Sequence, residues 1–452
     1  MNPANPLERL YWTIFTAWHL RGQSRIPFLP PARLAAIQNR RVRQIVAHAW
    51  KRVPFYREAM TRDGLRPSDF RTAADLERLP LVSPDELARD PDRFCPRGLR
   101  PDRVVRILTS GTTGHRKRVF YDLEYVFLAL AAAQRRRDVV ARVSGIARGA
   151  RIQEFLIPES ASSLVTEARH RHSFVPRPLE ANRLFCTSDI GWDEALRVLN
   201  GSRADIVHGY ATFLGCLFRH AATNEIAVHR PRLLIAHSDA MPKADRELIE
   251  DHFGVPVISM YVAAESGFIG CQCEQRRAYH IDVDRVAARA VDEEGRTLPP
   301  GGRGELVISN LTNHATVLLN YRLGDVVTMS NGPCPCGRNL PTLESVDGRI
   351  DSTVLLPDGS QRRVWDFFIA LQQTPEAIQL QFRQDAPHHV LLRAVLRPAA
   401  DPTAFVARAK AFMQDAVGPD MIVEVKIVPA IAPEPGGKVR AVVRTFGQRA
   451  AG

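Results

Sequence analysis

The chain of 452 residues is 45% hydrophobic and 24% charged, the balance of a folded globular protein large enough for more than one domain, which excludes extensive disorder. Its formal net charge is +12, but only six of the 61 basic residues are lysine and the arginines are spread evenly, so composition assigns neither a basic patch nor a nucleic-acid partner. No apolar run approaches the ~20 residues of a membrane span, the opening MNPANPLERLYWTIFTAWHL lacks a signal peptide's basic leader and cleavage site, and the seven cysteines do not read as a secreted disulfide framework; a cytoplasmic protein is expected.

Between Pro31 and Val53, apolar residues at Leu34, Ile37, Val42, Ile45, Val46 and Ala49 recur at helical spacing, and Pro54 ends the pattern. RVVRIL then reads as a strand, and YVFLALAAA, from Tyr125, runs into Arg135, Arg136 and Arg137, which read as a solvated helix face. ADIVHGY, RLLIAHS and VPVISMYV read as strands, with the helix MPKADRELIEDHFG before the last of them. Strand and helix alternating at these intervals predict an α/β sheet with crossovers. DEEGRTLPPGGRG is turn-rich and leads into the strand GELVIS. Beyond GRIDS lie a hairpin-like LLPDGSQRRVW, a helix from Trp365, the strand HVLLRAVL, the helix DPTAFVARAKAFMQD and the strand VEVKIV. The expected architecture is therefore an α/β protein with a large N-terminal domain, residues 1–348, and a small mobile α+β domain, residues 349–452.

After RVVRIL comes the loop Ser110, Gly111, Thr112, Thr113, Gly114, with Lys117 close behind. Glycines let backbone amides converge on a polyphosphate, hydroxyls add donors, and the lysine supplies a point charge. No Gly-Lys-Ser/Thr closes it, so it is not a P-loop.

TSGTTG followed by a lysine resembles the phosphate loop of the adenylate-forming superfamily, the acyl-CoA synthetases and their relatives. Four further segments fall in that family's order: MYVAAE (Met260 to Glu265), YRLGD (Tyr321 to Asp325), DGRID (Asp347 to Asp351) and PGGKVR (Pro435 to Arg440). KRVPFYREAM, LPLV and the stretch from GELVIS to YRLGD are similar to the phenylacetate-CoA ligase-like branch. The resemblance implies that Ser110 to Gly114 and Lys117 hold ATP phosphates, Glu265 holds Mg2+, and Asp325 accepts the ribose hydroxyls. Tyr261, Ser238, Asp239 and Arg349 would complete the nucleotide site, Lys438 would contact the reacting carboxylate and α-phosphate, and Asp351 would be the hinge. His208, Tyr210 and Phe268 fall near the acyl pocket. Two of only six lysines thus occupy the pattern's two lysine positions. Ala264 replaces a family Thr or Ser, removing one hydroxyl from the phosphate site, and LLPDGSQRRVW replaces the usual text after the hinge.

Cys273, His280, Cys334 and Cys336 offer three thiolates and an imidazole, a Cys3His set suited to structural Zn2+, with Cys271 a spare ligand. The resemblance implies ATP-dependent activation of a carboxylic acid, aromatic by family analogy, to an acyl-adenylate. The acceptor is CoA, or alternatively an amine or another nucleophile; a nucleotide-binding protein with little turnover is the non-enzymatic alternative. A monomer or homodimer is expected.

Overall fold

The computed structural model describes residues 4–108, 117–157, 160–174, 182–188, 190–349, 353–363, 371, 374, 376–397, 400–431 and 442–444. The N-terminal part is helical: α1 (Pro6–Leu20), α2 (Pro31–Arg52), α3 (Pro54–Arg62) and α4 (Pro84–Arg89). Pro54, read as a helix end, also opens the next helix, because a proline at the first helical position loses no intrahelical hydrogen bond. The hairpin β1 (Val104–Leu108) and β2 (Arg118–Asp122) flanks the glycine-rich loop, and Asp122 caps α5 (Leu123–Ser144) through the amide of Tyr125.

Crossovers follow: β3 (Arg151–Leu156), α6 (Ala161–His172), β4 (Asn182–Thr187), α7 (Trp192–Ser202), β5 (Ile206–Tyr210), α8 (Ala211–Thr223), β6 (Leu233–His237), α9 (Lys243–Glu247) and β7 (Val257–Ala263). From there the chain becomes antiparallel, with β8 (Gly267–Gln272), β9 (Tyr279–Ile281), β10 (Val286–Val291), β11 (Arg303–Asn310), β12 (Tyr321–Met329) and β13 (Thr342–Arg349). Among the described residues these strands form one 11-stranded sheet, ordered β10-β11-β12-β13-β9-β8-β7-β6-β5-β3-β4. The β4-β3-β5-β6-β7 half is parallel and the remainder antiparallel. Phe155, Val207 and Leu234 bury against α7 and α8 on one face of the parallel half, while Ile206, Ile235 and Ile258 meet Val139 of α5 on the other. With both faces covered, the central strands β5 and β6 are nearly continuous apolar runs, as buried parallel strands require.

The tail holds the hairpin β14 (Thr353–Leu355) and β15 (Gln361–Arg363), then β16 (Ala377–Ala386), β17 (His389–Leu396), α10 (Pro402–Val417), β18 (Ile422–Ile427) and β19 (Val442–Arg444). Its four-stranded sheet, ordered β18-β17-β16-β19, buries Phe382, Leu392, Phe405 and Met413. A large mixed α/β portion followed by a small α+β portion is the fold class expected from the sequence.

The three arginines of α5 depart from their reading as a solvated face. Arg135 is buried, donates to both carboxylate oxygens of Asp284 at 2.7 and 2.8 Å, and lies 3.0 Å from Asp282. Arg136 is half-buried, its guanidinium 4.2 Å from the centroid of the Phe268 ring, and only Arg137 of the three is exposed. The aspartates that make burial of Arg135 tolerable lie about 150 residues away in sequence, out of reach of any local pattern.

Candidate active site

The parallel strands deliver their C-terminal ends, and the residues that follow them, to one edge of the sheet, where open α/β folds place ligands. β5 brings His208 and Tyr210, β6 leads to Ser238 and Asp239, and β7 carries Tyr261 and leads to Glu265. Ser110 to Gly114 lie outside the described residues. Lys117, immediately before β2, is described and is 6% exposed. Its ammonium donates to Glu265 Oε1 at 2.5 Å and lies 3.4 Å from the Tyr321 hydroxyl, which is itself 3.4 Å from the same carboxylate oxygen. Burial works against ionisation of Glu265, but the Lys117 charge and hydrogen bond, with Arg349 beyond them, outweigh it and hold the carboxyl below its ordinary value.

Two tyrosines fix the backbone of MYVAAE from β2 and α5. The Tyr121 hydroxyl donates to the Ala264 carbonyl at 2.6 Å, and that of Tyr125 donates to the Ser266 carbonyl at 2.7 Å. Gly267 follows with φ +66°, and a Cβ there would sit 1.9 Å from the Tyr125 oxygen, so position 267 is restricted to glycine twice over.

Asp325 on β12 accepts from the Tyr261 hydroxyl at 2.6 Å on one oxygen and from Arg349 at 3.3 Å on the other. Burial, reinforced by Asp325, pushes the Tyr261 hydroxyl well above its ordinary value, so it stays a donor at neutral pH. Tyr261, Glu265, Asp325 and Arg349 are thus in one neighbourhood with Lys117. Asp351 and Lys438 lie outside the described residues.

Next to β6, Asp239 accepts from the amides of Ala211, at 2.7 Å, and Thr212, at 3.3 Å, and from the Thr212 hydroxyl, so its carboxylate caps the N-terminus of α8. Ser238 has a left-handed φ of +71° and its hydroxyl lies 2.7 Å from His237 Nδ1. The His237 ring is 4.5 Å from that of His208 and 5.1 Å from that of Tyr210. His208 Nδ1 is 3.5 Å from the buried Glu154, which also pairs with Arg183. Burial, with Arg183 and Arg136 nearby, pushes His208 down to about 3, so its ring is neutral at physiological pH. Phe268 lies on the neighbouring β8, beneath Arg136. Sequence reasoning missed Tyr321, Glu154, Arg183 and Arg136. The first stood inside the quoted YRLGD, while nothing local marked the others.

The four metal-type residues converge. Cys273 follows β8, His280 lies on β9, and Cys334 and Cys336 stand in the turn between β12 and β13, which pairs with β9. Their ligand atoms all lie within 4.8 Å of one another, with Cys273 Sγ to Cys334 Sγ at 3.7 Å and Cys336 Sγ to His280 Nε2 at 3.4 Å. Bonds of ~2.3 Å to sulfur and ~2.0 Å to nitrogen give a tetrahedron with S–S edges of ~3.8 Å and S–N edges of ~3.5 Å. The donor set therefore fits Zn2+. Arg338 staples the two loops through a bidentate pair with Glu274 at 2.6 and 2.9 Å. Among the described residues Cys271 is not in this group; its thiol is pushed up to about 12 by burial.

No protein-family model matches the chain. Over 346 residues it is 28% identical to the phenylacetate-coenzyme A ligase of Thermus thermophilus, covering 74% of each chain. The chain is similar in sequence to the phenylacetate-coenzyme A ligases. It is also 21% identical to protein CapK of Staphylococcus aureus over 432 residues, 91% of this chain and 90% of that one. Among solved structures, 2-hydroxyisobutyryl-CoA ligase in the postadenylation state, in complex with 2-HIB-AMP, superposes with a TM-score of 0.70 at 19% identity, covering 93% of this chain and 92% of that chain. That likeness shows that the chain shares the fold of 2-hydroxyisobutyryl-CoA ligase. No helix among the described residues is long and apolar enough to cross a membrane.

Proposed function

We propose that this protein uses ATP to convert a carboxylic acid into an acyl-adenylate and then transfers the acyl group to coenzyme A. The observation that carries the reading is the junction of two buried groups from distant motifs: Lys117 with Glu265, beside Tyr261 with Asp325 and Arg349. In adenylation a substrate carboxylate oxygen attacks the α-phosphorus and pyrophosphate leaves; in transfer a thiolate attacks the acyl carbon and AMP leaves. Neither step needs a protein nucleophile, so the chain's part is positioning and charge neutralisation. Lys117 and the Ser110 to Gly114 loop would hold the phosphates, Asp325 with Tyr261 the ribose, and Lys438 the charge at the reacting centre. Residues 1–348 would form the adenylation domain, with Asp351 the pivot on which residues 349–452 turn.

Glu265 is kept ionised in a buried setting, a hard oxygen donor of the kind Mg2+ prefers, and it would hold that ion, whose chemistry is to neutralise phosphate charge. Zn2+ held by Cys273, His280, Cys334 and Cys336 would be structural, since all four positions of its tetrahedron are protein atoms.

The acid is read as aromatic from the names of the relatives. The acceptor has a second reading: LLPDGSQRRVW replaces the text usual after the hinge in the family that the chain resembles, so an amine or another nucleophile stands as the alternative to CoA. ATP-pyrophosphate exchange over aryl, alkyl and hydroxylated acids tests the first half-reaction. Acid-dependent exchange, falling about a hundredfold or more in Lys438→Ala, is expected, and absence of exchange with every acid overturns the proposal. Product analysis with CoA and with amines then separates the acceptors.

A further inference from the structure

The helix α1 is amphipathic in an unusual sense: one apolar face is docked and the other is open. Trp12, 7% exposed, stacks on Phe127 of α5 with ring centroids 4.9 Å apart, and Phe15 packs beside it. On the far side lie Leu7, Leu10, Tyr11, Ile14, Ala17 and Trp18. At 100° per residue these six share one face, and no polar side chain interrupts it between Leu7 and Trp18. Exposure runs from 48% at Leu10 to 75% at Leu7, with Ile14 at 60% and Trp18 at 66%. A continuous apolar stripe left open on a helix already anchored by its other face calls for an occupant.

Charge and shape choose between occupants. The stripe ends at Arg21 and Arg25, both exposed, whereas Arg9 is on the docked side, over the Phe174 ring and donating to the Ser173 carbonyl. The acidic groups nearby are Glu8, which meets His172 and Arg103, and Glu124 at the start of α5. A second copy would bring another +12 chain and no exposed carboxylate on the stripe to meet Arg21. The stripe measures roughly 18 Å by 10 Å, much less than the ~800 Å² that each partner of a standard protein interface contributes. An anionic bilayer answers both features: it takes a single helix face, it attracts the arginines, and its boundary layer accepts Tyr and Trp rings.

We propose that α1 is an interfacial anchor that lays this face into the headgroup boundary of an anionic lipid membrane. The surface is separate from the candidate active site, and the proposal does not rest on the reaction. The test is co-sedimentation of the full chain with phosphatidylcholine vesicles and with vesicles also containing phosphatidylglycerol, for the wild type, Ile14→Glu and Trp18→Ser. Both substitutions are at exposed positions, so melting should be unchanged. The expected result is wild-type binding that favours the anionic vesicles, weakened at least about tenfold by Ile14→Glu, since a carboxylate on the buried face opposes insertion. Wild type left in the supernatant, binding unaffected by either substitution, or equal binding to neutral vesicles overturns it. So does a concentration-dependent dimer in sedimentation velocity that Ile14→Glu dissociates while vesicles capture neither protein, which would make the stripe a protein interface.

Discussion

Replacing Lys117 with methionine keeps the length of the side chain and removes its charge, leaving Glu265 buried without its nearest counter-ion. The pair is 8% and 6% exposed at its side chains, so it belongs to the regime in which losing one partner costs ~3–5 kcal/mol. At ~2 °C per kcal/mol for a large domain, the thermal midpoint should fall by about 6–10 °C near neutral pH. The pH dependence carries a sign. In the wild type the Glu265 carboxyl is held below its ordinary value, so the pair's contribution is complete above the unfolded carboxyl range and is lost as pH falls through the lowered value. In Lys117→Met, burial is opposed by Arg349 without Lys117, Glu265 takes up a proton more readily, and the deficit should shrink on acidification. The double variant Lys117→Met, Glu265→Gln removes the stranded charge and should recover much of the loss. Calorimetry or circular dichroism of the three proteins across pH decides. A single variant that melts with the wild type, or a double variant no better than the single, refutes the reasoning.

Tyr261→Phe removes a donor 2.6 Å from the Asp325 carboxylate, a charge-assisted bond of ~1.5–3 kcal/mol, and should raise the KM for ATP about tenfold or more; an unchanged KM separates Tyr261 from the nucleotide. Gly267→Ala must displace Tyr125 and adopt a strained left-handed backbone, so exchange activity and thermal stability should fall together, and wild-type values for both would contradict the packing. Elemental analysis should find about one zinc per chain, and Cys336→Ser should lower both zinc content and melting temperature, because structural zinc contributes directly to folding. Zinc well below one equivalent with unchanged melting returns these cysteines to ordinary loop residues.

What could be read from the chain was whatever is contiguous. MYVAAE and YRLGD each hold their residues within a few positions, and the Cys3His set announces itself by chemistry, so Glu265, Asp325 and the four clustered ligands were all marked beforehand. Lys117 was marked too, but for phosphates; that it meets Glu265, 148 positions away, depends on the β1-β2 hairpin packing against the end of β7. Arg135 failed for the same reason in reverse, since an arginine triplet on a helix looks solvated until Asp282 and Asp284 are folded against it. Asp239 shows a third case, a polar residue in a loop whose carboxylate serves a neighbouring helix's amides. Periodicity found α2 but not α1, because apolar residues that ring a short helix blur the period.

The internal pairing at the candidate nucleotide site also bears on how an anion finds it. Lys117 meets the field of the Glu265 carboxylate at 2.5 Å and Arg349 that of Asp325 at 3.3 Å, so from a distance beyond the ~8 Å screening length of physiological salt each couple acts as a small dipole rather than a free cation. These couples add little long-range pull on a polyphosphate. Capture rates should follow the scattered surface arginines and fall with ionic strength accordingly, while the buried couples take effect after contact, through an exchange of partners inside the site.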